Sequence, residues 1–335
     1  MRGQERGSTL RVYLHAQNAW AGKRKHPAGI PACPKCVGRK EETMKLKYNS
    51  LEELVNAALS SNRKISEIVL EQQAEEMEAS PQAVYSTMEK SFEVMRQSVK
   101  SGMDETLRSP SGLSGGAAAK LKKAVDQGKN HYGHLLGNAL SMALAVTEFN
   151  SCMGQIVAAP TAGSCGVIPA ALISVMEEYD IPKHVIVMSL FTSSAIGMVI
   201  AKCASIAGAE GGCQAEVGSA SAMAAAALTE IFGGTPQMVS DSCAIALKNT
   251  LGLVCDPVAG LVEVPCIKRN AMGVANAFTA SELACAGITS AIPADEVILA
   301  MKQVGQQMSS SLKETADGGL AATPTGCRLR KQIFG

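Results

Sequence analysis

Aromatic side chains are scarce: one tryptophan, five tyrosines and six phenylalanines, 4% of 335 residues. That argues against a sandwich held by aromatic and β-branched pairs. The core has to come from alanine, valine, leucine, isoleucine and methionine, with glycine for close approach, which favours tightly packed helices. Net charge is also nearly missing, 31 Lys+Arg against 30 Asp+Glu, so no bulk electrostatic case exists for nucleic acid or an anionic membrane as partner. No unbroken membrane-length apolar run occurs. The nearest, Val185 to Ala201, is interrupted by Ser189, Thr192, Ser193, Ser194 and Gly197 and bracketed by Lys183 and Lys202. A span needs about 20 mostly apolar residues, so the run reads as a buried core helix. No segment alternates with period two, and the fold class expected is all-α. A secretory signal is missing while cysteine is plentiful, eleven in all, so a reducing, cytoplasmic setting is expected.

What is present divides the chain unevenly. Residues 1–43 hold nine Lys/Arg against three Asp/Glu, the lone tryptophan and a Cys33-Pro-Lys-Cys36 pair, without helical period. They read as a disordered leader or upstream extension, with Met44 as the expected natural start. Residues 44–327 read as one helical catalytic domain, and 328–335 as a C-terminal tail. Ser50-Leu-Glu-Glu53 predicts a capping box, and Ser80-Pro81 a capped helix to about Ser101. From His131 onward the predicted helices are poor in charge and rich in Ala, Met and Gly: 137–150, 170–178, 219–232, 236–251 and 270–286. A last helix opening at Pro293 is expected to end near Asp317.

Glycine- and proline-rich loops separate these helices. Ser109-Pro-Ser-Gly-Leu-Ser-Gly-Gly116 is one, readable as a linker or as a loop whose N–H groups hold a carboxylate. Ala158 to Pro169 is a second. The third region, Gly208 to Cys266, contains three cysteines on turns: Cys213 after Gly211-Gly212, Cys255 before Asp256-Pro257, and Cys266 after Pro265. Thiolates on turns at helix ends can converge as thiols along one helix cannot. Soft thiolates select iron–sulfur clusters or zinc, and three donors leave one metal position open. Cys152, Cys203, Cys243 and Cys285 sit in apolar helical runs and read as core.

Together the motifs SGLSGG, APTAGSCGVIP, GAEGGCQAEVG and CDPVAGLVEVPCIKRNA resemble the iron–sulfur-dependent L-serine dehydratase family, specifically its two-chain α subunits, over about Met44 to Cys327. The resemblance implies a carbon–nitrogen lyase that turns L-serine into pyruvate and ammonia. It implies a [4Fe–4S] cluster on Cys213, Cys255 and Cys266, acting as Lewis acid, and a separate β subunit as partner. It also makes Cys327 the candidate fourth or plugging ligand, although Arg328–Gly335 extends beyond it. Substrate binding is expected at Ser111 and Ser114 in the first loop and at Thr161 and Ser164 in the second. The base is not legible: His131, His134 and Lys120, with Lys202, are candidates, each more readily read as ordinary structure, while Glu210 and Glu216 flank Cys213 and read as supporting partners of the ligands or as helix-end charges. Two other readings stand beside this one. In a related cysteine desulfidase the iron takes a substrate sulfur. An iron–sulfur carrier usually closes every iron with near-neighbour cysteines, unlike the wide gap between Cys213 and Cys255.

Overall fold

The computed structural model describes residues 47–335; the expected leader, with its Cys33–Cys36 pair, lies outside them. Among the described residues there are thirteen α-helices and no sheet. The all-α expectation holds. Three helices form an outer layer, α1 (Leu51–Ser61), α2 (Ile65–Glu76) and α3 (Pro81–Gly102), of which α1 and α3 are amphipathic. Ser50 caps α1 by accepting Glu53 N–H at 3.1 Å, but the Glu53 carboxylate returns to Asn49 N–H at 2.6 Å. The box therefore closes one residue earlier than the motif implied. Ser80 caps α3 through Ala83 N–H, with Pro81 at the first helical position, where no N–H is missed.

The inner bundle follows: α4 (Ala117–Asp126), α5 (His134–Ser151), α6 (Val167–Glu178) and α7 (Lys183–Cys203). The short α8 (Gly208–Gly211) precedes α9 (Ser219–Ile231), α10 (Pro236–Lys248), α11 (Cys266–Cys285) and α12 (Ala294–Gln307). Ser219 through Glu230 of α9 are all buried, and α9 packs against α6, α7, α10 and α11. Only a helix faced mostly with alanine and serine can be surrounded so closely by other helices. Helix α7 is long and apolar enough to cross a membrane, yet 72% of its apolar window is buried inside the protein, as a core helix requires. Glycine sets one backbone contact: a Cβ on Gly102 would fall 2.0 Å from Ala145 O, so α3 meets α5 main chain to main chain.

The C-terminal end differs from the sequence reading. Helix α12 stops at Gln307, ten residues short of Asp317, and an irregular strap follows. A further helix, α13 (Pro324–Phe334), then runs through Cys327 and the expected tail. Thr323 caps it through Gly326 N–H, with proline first. That is the same signal that marks α3, and it was legible in the sequence.

Candidate metal centre

Three chain segments bring the cysteines in. Gly212 ends α8 at φ +77°, a left-handed turn that favours glycine, and Cys213 follows it. Gln214, fully buried, then fixes this segment to the next. Its N–H donates to Leu253 O at 3.0 Å, its Oε1 accepts Gly252 N–H at 2.9 Å, and its Nε2 donates to Met301 O at 2.9 Å. One π-turn, Gln214–Gly218, leads into α9. Cys255 lies on the second segment and is fastened by its backbone. Its N–H donates to Leu312 O and its C=O accepts Glu314 N–H, both at 2.8 Å, in a single parallel bridge to the strap after α12. Cys266 is the first residue of α11, just after the cis Val264–Pro265 bond.

All three thiols are buried, at 3%, 3% and 8% exposure for Cys213, Cys255 and Cys266. Each lies within electrostatic reach of the other two. Burial first, then the nearby Glu216 carboxyl, pushes Cys213 up to about 12, against the Arg269 guanidinium, which lowers it. Burial likewise drives Cys255 and Cys266 upward. Such thiols ionise only when a metal displaces the proton. Arg269 donates from Nη1 to Val254 O at 2.7 Å and from Nη2 to Asp256 Oδ1 at 2.8 Å.

Among the described residues, no three His, Cys, Asp or Glu side chains close on one point as a single ion requires. A cluster binds each thiolate on a different iron and needs donors around a volume. Three buried soft donors on separate segments, with one cation beside them, fit that demand.

Both predicted loops reach this region. Thr161 Oγ1 donates to Glu216 Oε1 at 2.8 Å and lies 3.2 Å from Ser164 Oγ. Glu216 is pushed up to about 7, first by burial and then by the Glu314 carboxylate, while the Thr161 hydroxyl opposes the shift. Gly208 allows the approach: a Cβ there would sit 2.8 Å from Glu216 Oε2 and 3.1 Å from Cys255 Sγ. Asn270, one turn after Cys266, binds the second loop from both sides, accepting Gly166 N–H at 2.9 Å and donating to Gly163 O at 2.7 Å. In the first loop, Ser109 and Ser111 each donate to Glu263 at 2.7 Å, and Ser114 donates to it as well. Glu263 is 5% exposed and three residues before Cys266. Sequence reasoning missed Glu263, Arg269 and Asn270. All three fall within the VEVPCIKRN motif, so their proximity to Cys266 was the available signal.

The other candidates lie at the surface. His131 and Lys120 are exposed. His134 is exposed too and pairs with Glu178 at 2.7 Å, the far end of α6, about 18 Å along the helix from the second loop. Cys327 is exposed, with Sγ 3.9 Å from Ala321 O.

Comparison with known proteins agrees with this architecture. Residues 60–321 match the serine dehydratase alpha chain family. The chain is 50% identical to the probable L-serine dehydratase alpha chain of Bacillus subtilis, over 86% of this chain and 96% of that one. It is 42% identical to the L-serine dehydratase alpha chain of Peptoniphilus asaccharolyticus, over 85% and 98%. With the L-serine dehydratase of Streptomyces coelicolor it shares 37% identity over 86% of this chain but 63% of the relative. The chain belongs to the serine dehydratase alpha chain family.

Proposed function

We propose that this chain is the α subunit of an L-serine dehydratase, a carbon–nitrogen lyase converting L-serine to pyruvate and ammonia, with a [4Fe–4S] cluster on Cys213, Cys255 and Cys266. The observation that carries the reading is the burial of these three thiols together, from three segments, in a chain of this family. When bound, the cluster supplies a Lewis-acidic iron lacking a protein ligand, which polarises the departing hydroxyl.

The chain's own residues supply the rest. Ser109, Ser111 and Ser114 commit their hydroxyl hydrogens to Glu263, so the first loop presents lone pairs and a carboxylate, which suits the substrate ammonium rather than its carboxylate. The backbone N–H groups of the 162–166 loop suit the carboxylate. Glu216, beside Cys255, is better placed to take the α-proton than His131, His134 or Lys120. Loss of the β-hydroxide and of that proton, together one water, leaves an aminoacrylate, which tautomerises to an imine and takes up water to give pyruvate and ammonium. The Streptomyces relative is about half as long again as the part matched here, which supports a separate β chain as partner. Nine free cysteines among the described residues support a reducing cytoplasm as the setting. Cys327 is exposed, on a helix that packs against the 258–260 turn between Cys255 and Cys266, which keeps it as the candidate plugging ligand.

The test is anaerobic copurification with the β chain, iron and sulfide analysis, and assay of pyruvate from serine. Cys213→Ala, Cys255→Ala and Cys266→Ala should each abolish both iron and turnover; full turnover without them sinks the reading. Sulfide release from cysteine in place of pyruvate indicates a desulfidase. Reversible reduction with no lyase activity indicates a carrier. In Ser111→Ala and Thr161→Ala, an unchanged KM for serine removes those loops from the site.

A further inference from the structure

Arg269 ties two of the segments that carry a site cysteine together and places its charge near the third. It lies on α11, three residues after Cys266. Its Nη1 holds Val254 O and its Nη2 holds Asp256 Oδ1, the residues on either side of Cys255. The same guanidinium lies within electrostatic reach of the Cys213 thiol. Its side chain is 15% exposed and that of Asp256 is 4% exposed, so water does little to screen the charge. Asp256 in turn accepts Leu320 N–H on Oδ2 at 2.8 Å, tying the strap to the same fork. A Cβ on Gly319 would fall 2.4 Å from that oxygen, which leaves the close approach to glycine.

We infer that Arg269 is a positioning residue for the cluster: its planar fork sets the spacing of Cys255 against Cys266, and its charge lies near the Cys213 sulfur. Arginine suits the place because its planar fork holds two acceptors at once, Val254 O and Asp256 Oδ1; a lysine ammonium is a point charge without that fork. Three thiolates bring more negative charge than the oxidised cluster core offsets, and a buried cation beside one sulfur lowers the cost of holding them. Hydrogen bonds and charge at the sulfurs also set reduction potential. This inference rests on the cluster reading above and extends it to a residue outside the ligand set.

The test compares wild type, Arg269→Met, Arg269→Lys and Asp256→Asn, each reconstituted anaerobically with iron and sulfide. Visible absorbance, iron per chain, the rate of bleaching in air and the reduction midpoint are read, with circular dichroism of the iron-free chain as the folding control. R269M should fold, bleach on the order of ten-fold faster and reduce at a more negative midpoint. R269K should recover the midpoint toward wild type but not the bleaching rate, because it restores the charge without the fork. Equal midpoints and equal bleaching in wild type and R269M overturn the inference. If R269M does not fold, D256N decides: faster bleaching supports the role and an unchanged rate overturns it. A wild-type chain that takes up no iron defeats the cluster reading and this inference together, whereas iron uptake indifferent to position 269 defeats only the inference.

Discussion

Cys243 and Cys213 are equally hidden from water, at 0% and 3% exposure, yet they belong to different environments. Cys243 sits on α10 within the main apolar cluster of alanine, valine, leucine and isoleucine side chains. Cys213 sits in a small separate cluster with Val217 and Cys255, ringed by Arg269, Asp256, Glu216 and Glu314. Burial alone cannot distinguish a structural thiol from a metal ligand. What separates them is the company of charges. The helical core buries a carboxylate only where hydrogen bonds satisfy it, as at Glu148 and Glu230, and, among the described residues, sets no cation beside Cys243, because an unpaired charge there costs several kcal/mol. The loops admit them because each is paired or hydrogen-bonded.

The sharpest way to break this contrast is to exchange roles. Cys213→Ser should lose nearly all bound iron on anaerobic reconstitution, and Cys243→Ser none; equal losses would erase the distinction. The bundle has its own intolerant point. Gly102→Ala drives a methyl into the Ala145 carbonyl, and since neither backbone can yield, it should cost about 3 kcal/mol in urea unfolding. On the loop side, Glu263→Gln puts an amide donor against serine hydroxyls that now donate to a carboxylate. It should cost about 2 kcal/mol, and a smaller change would mean the serines reorient freely.

A pH series separates the two regions further. Glu216 ionises near 7 in the folded iron-free chain, against 4.5 as its ordinary value. Between those values the folded chain binds more protons than the unfolded one, so stability falls as pH rises from about 4.5 to about 7. Glu216→Gln should flatten that slope, while substitutions in the helical core leave it unchanged. The smallest effect belongs to Cys243→Ala, about 1 kcal/mol of stability with iron content untouched.

The apolar helices were readable from sequence because their signals are local. The glycine and proline punctuation locates most of them within a turn, although Val167 and Cys266 begin their helices earlier than that context suggested. The cysteines were readable because thiols on turns are unusual in a chain otherwise built of apolar helices. The groups that organise them were not. Nothing near Cys255 in sequence announces its bonds to Leu312 and Glu314, and nothing near Ser109 announces Glu263, 154 positions away. Such pairings depend on which loops the packed bundle brings together. Local pattern does not carry that information.

The bridge between Cys255 and the 312–314 segment has a consequence for biosynthesis. A chain emerging from the ribosome offers all three thiols well before it offers the strap that anchors one of them. A product cut after Gln307 would display its cysteines with Cys255 unheld. On the cluster reading proposed above, stable loading then waits for the 312–314 segment to be made.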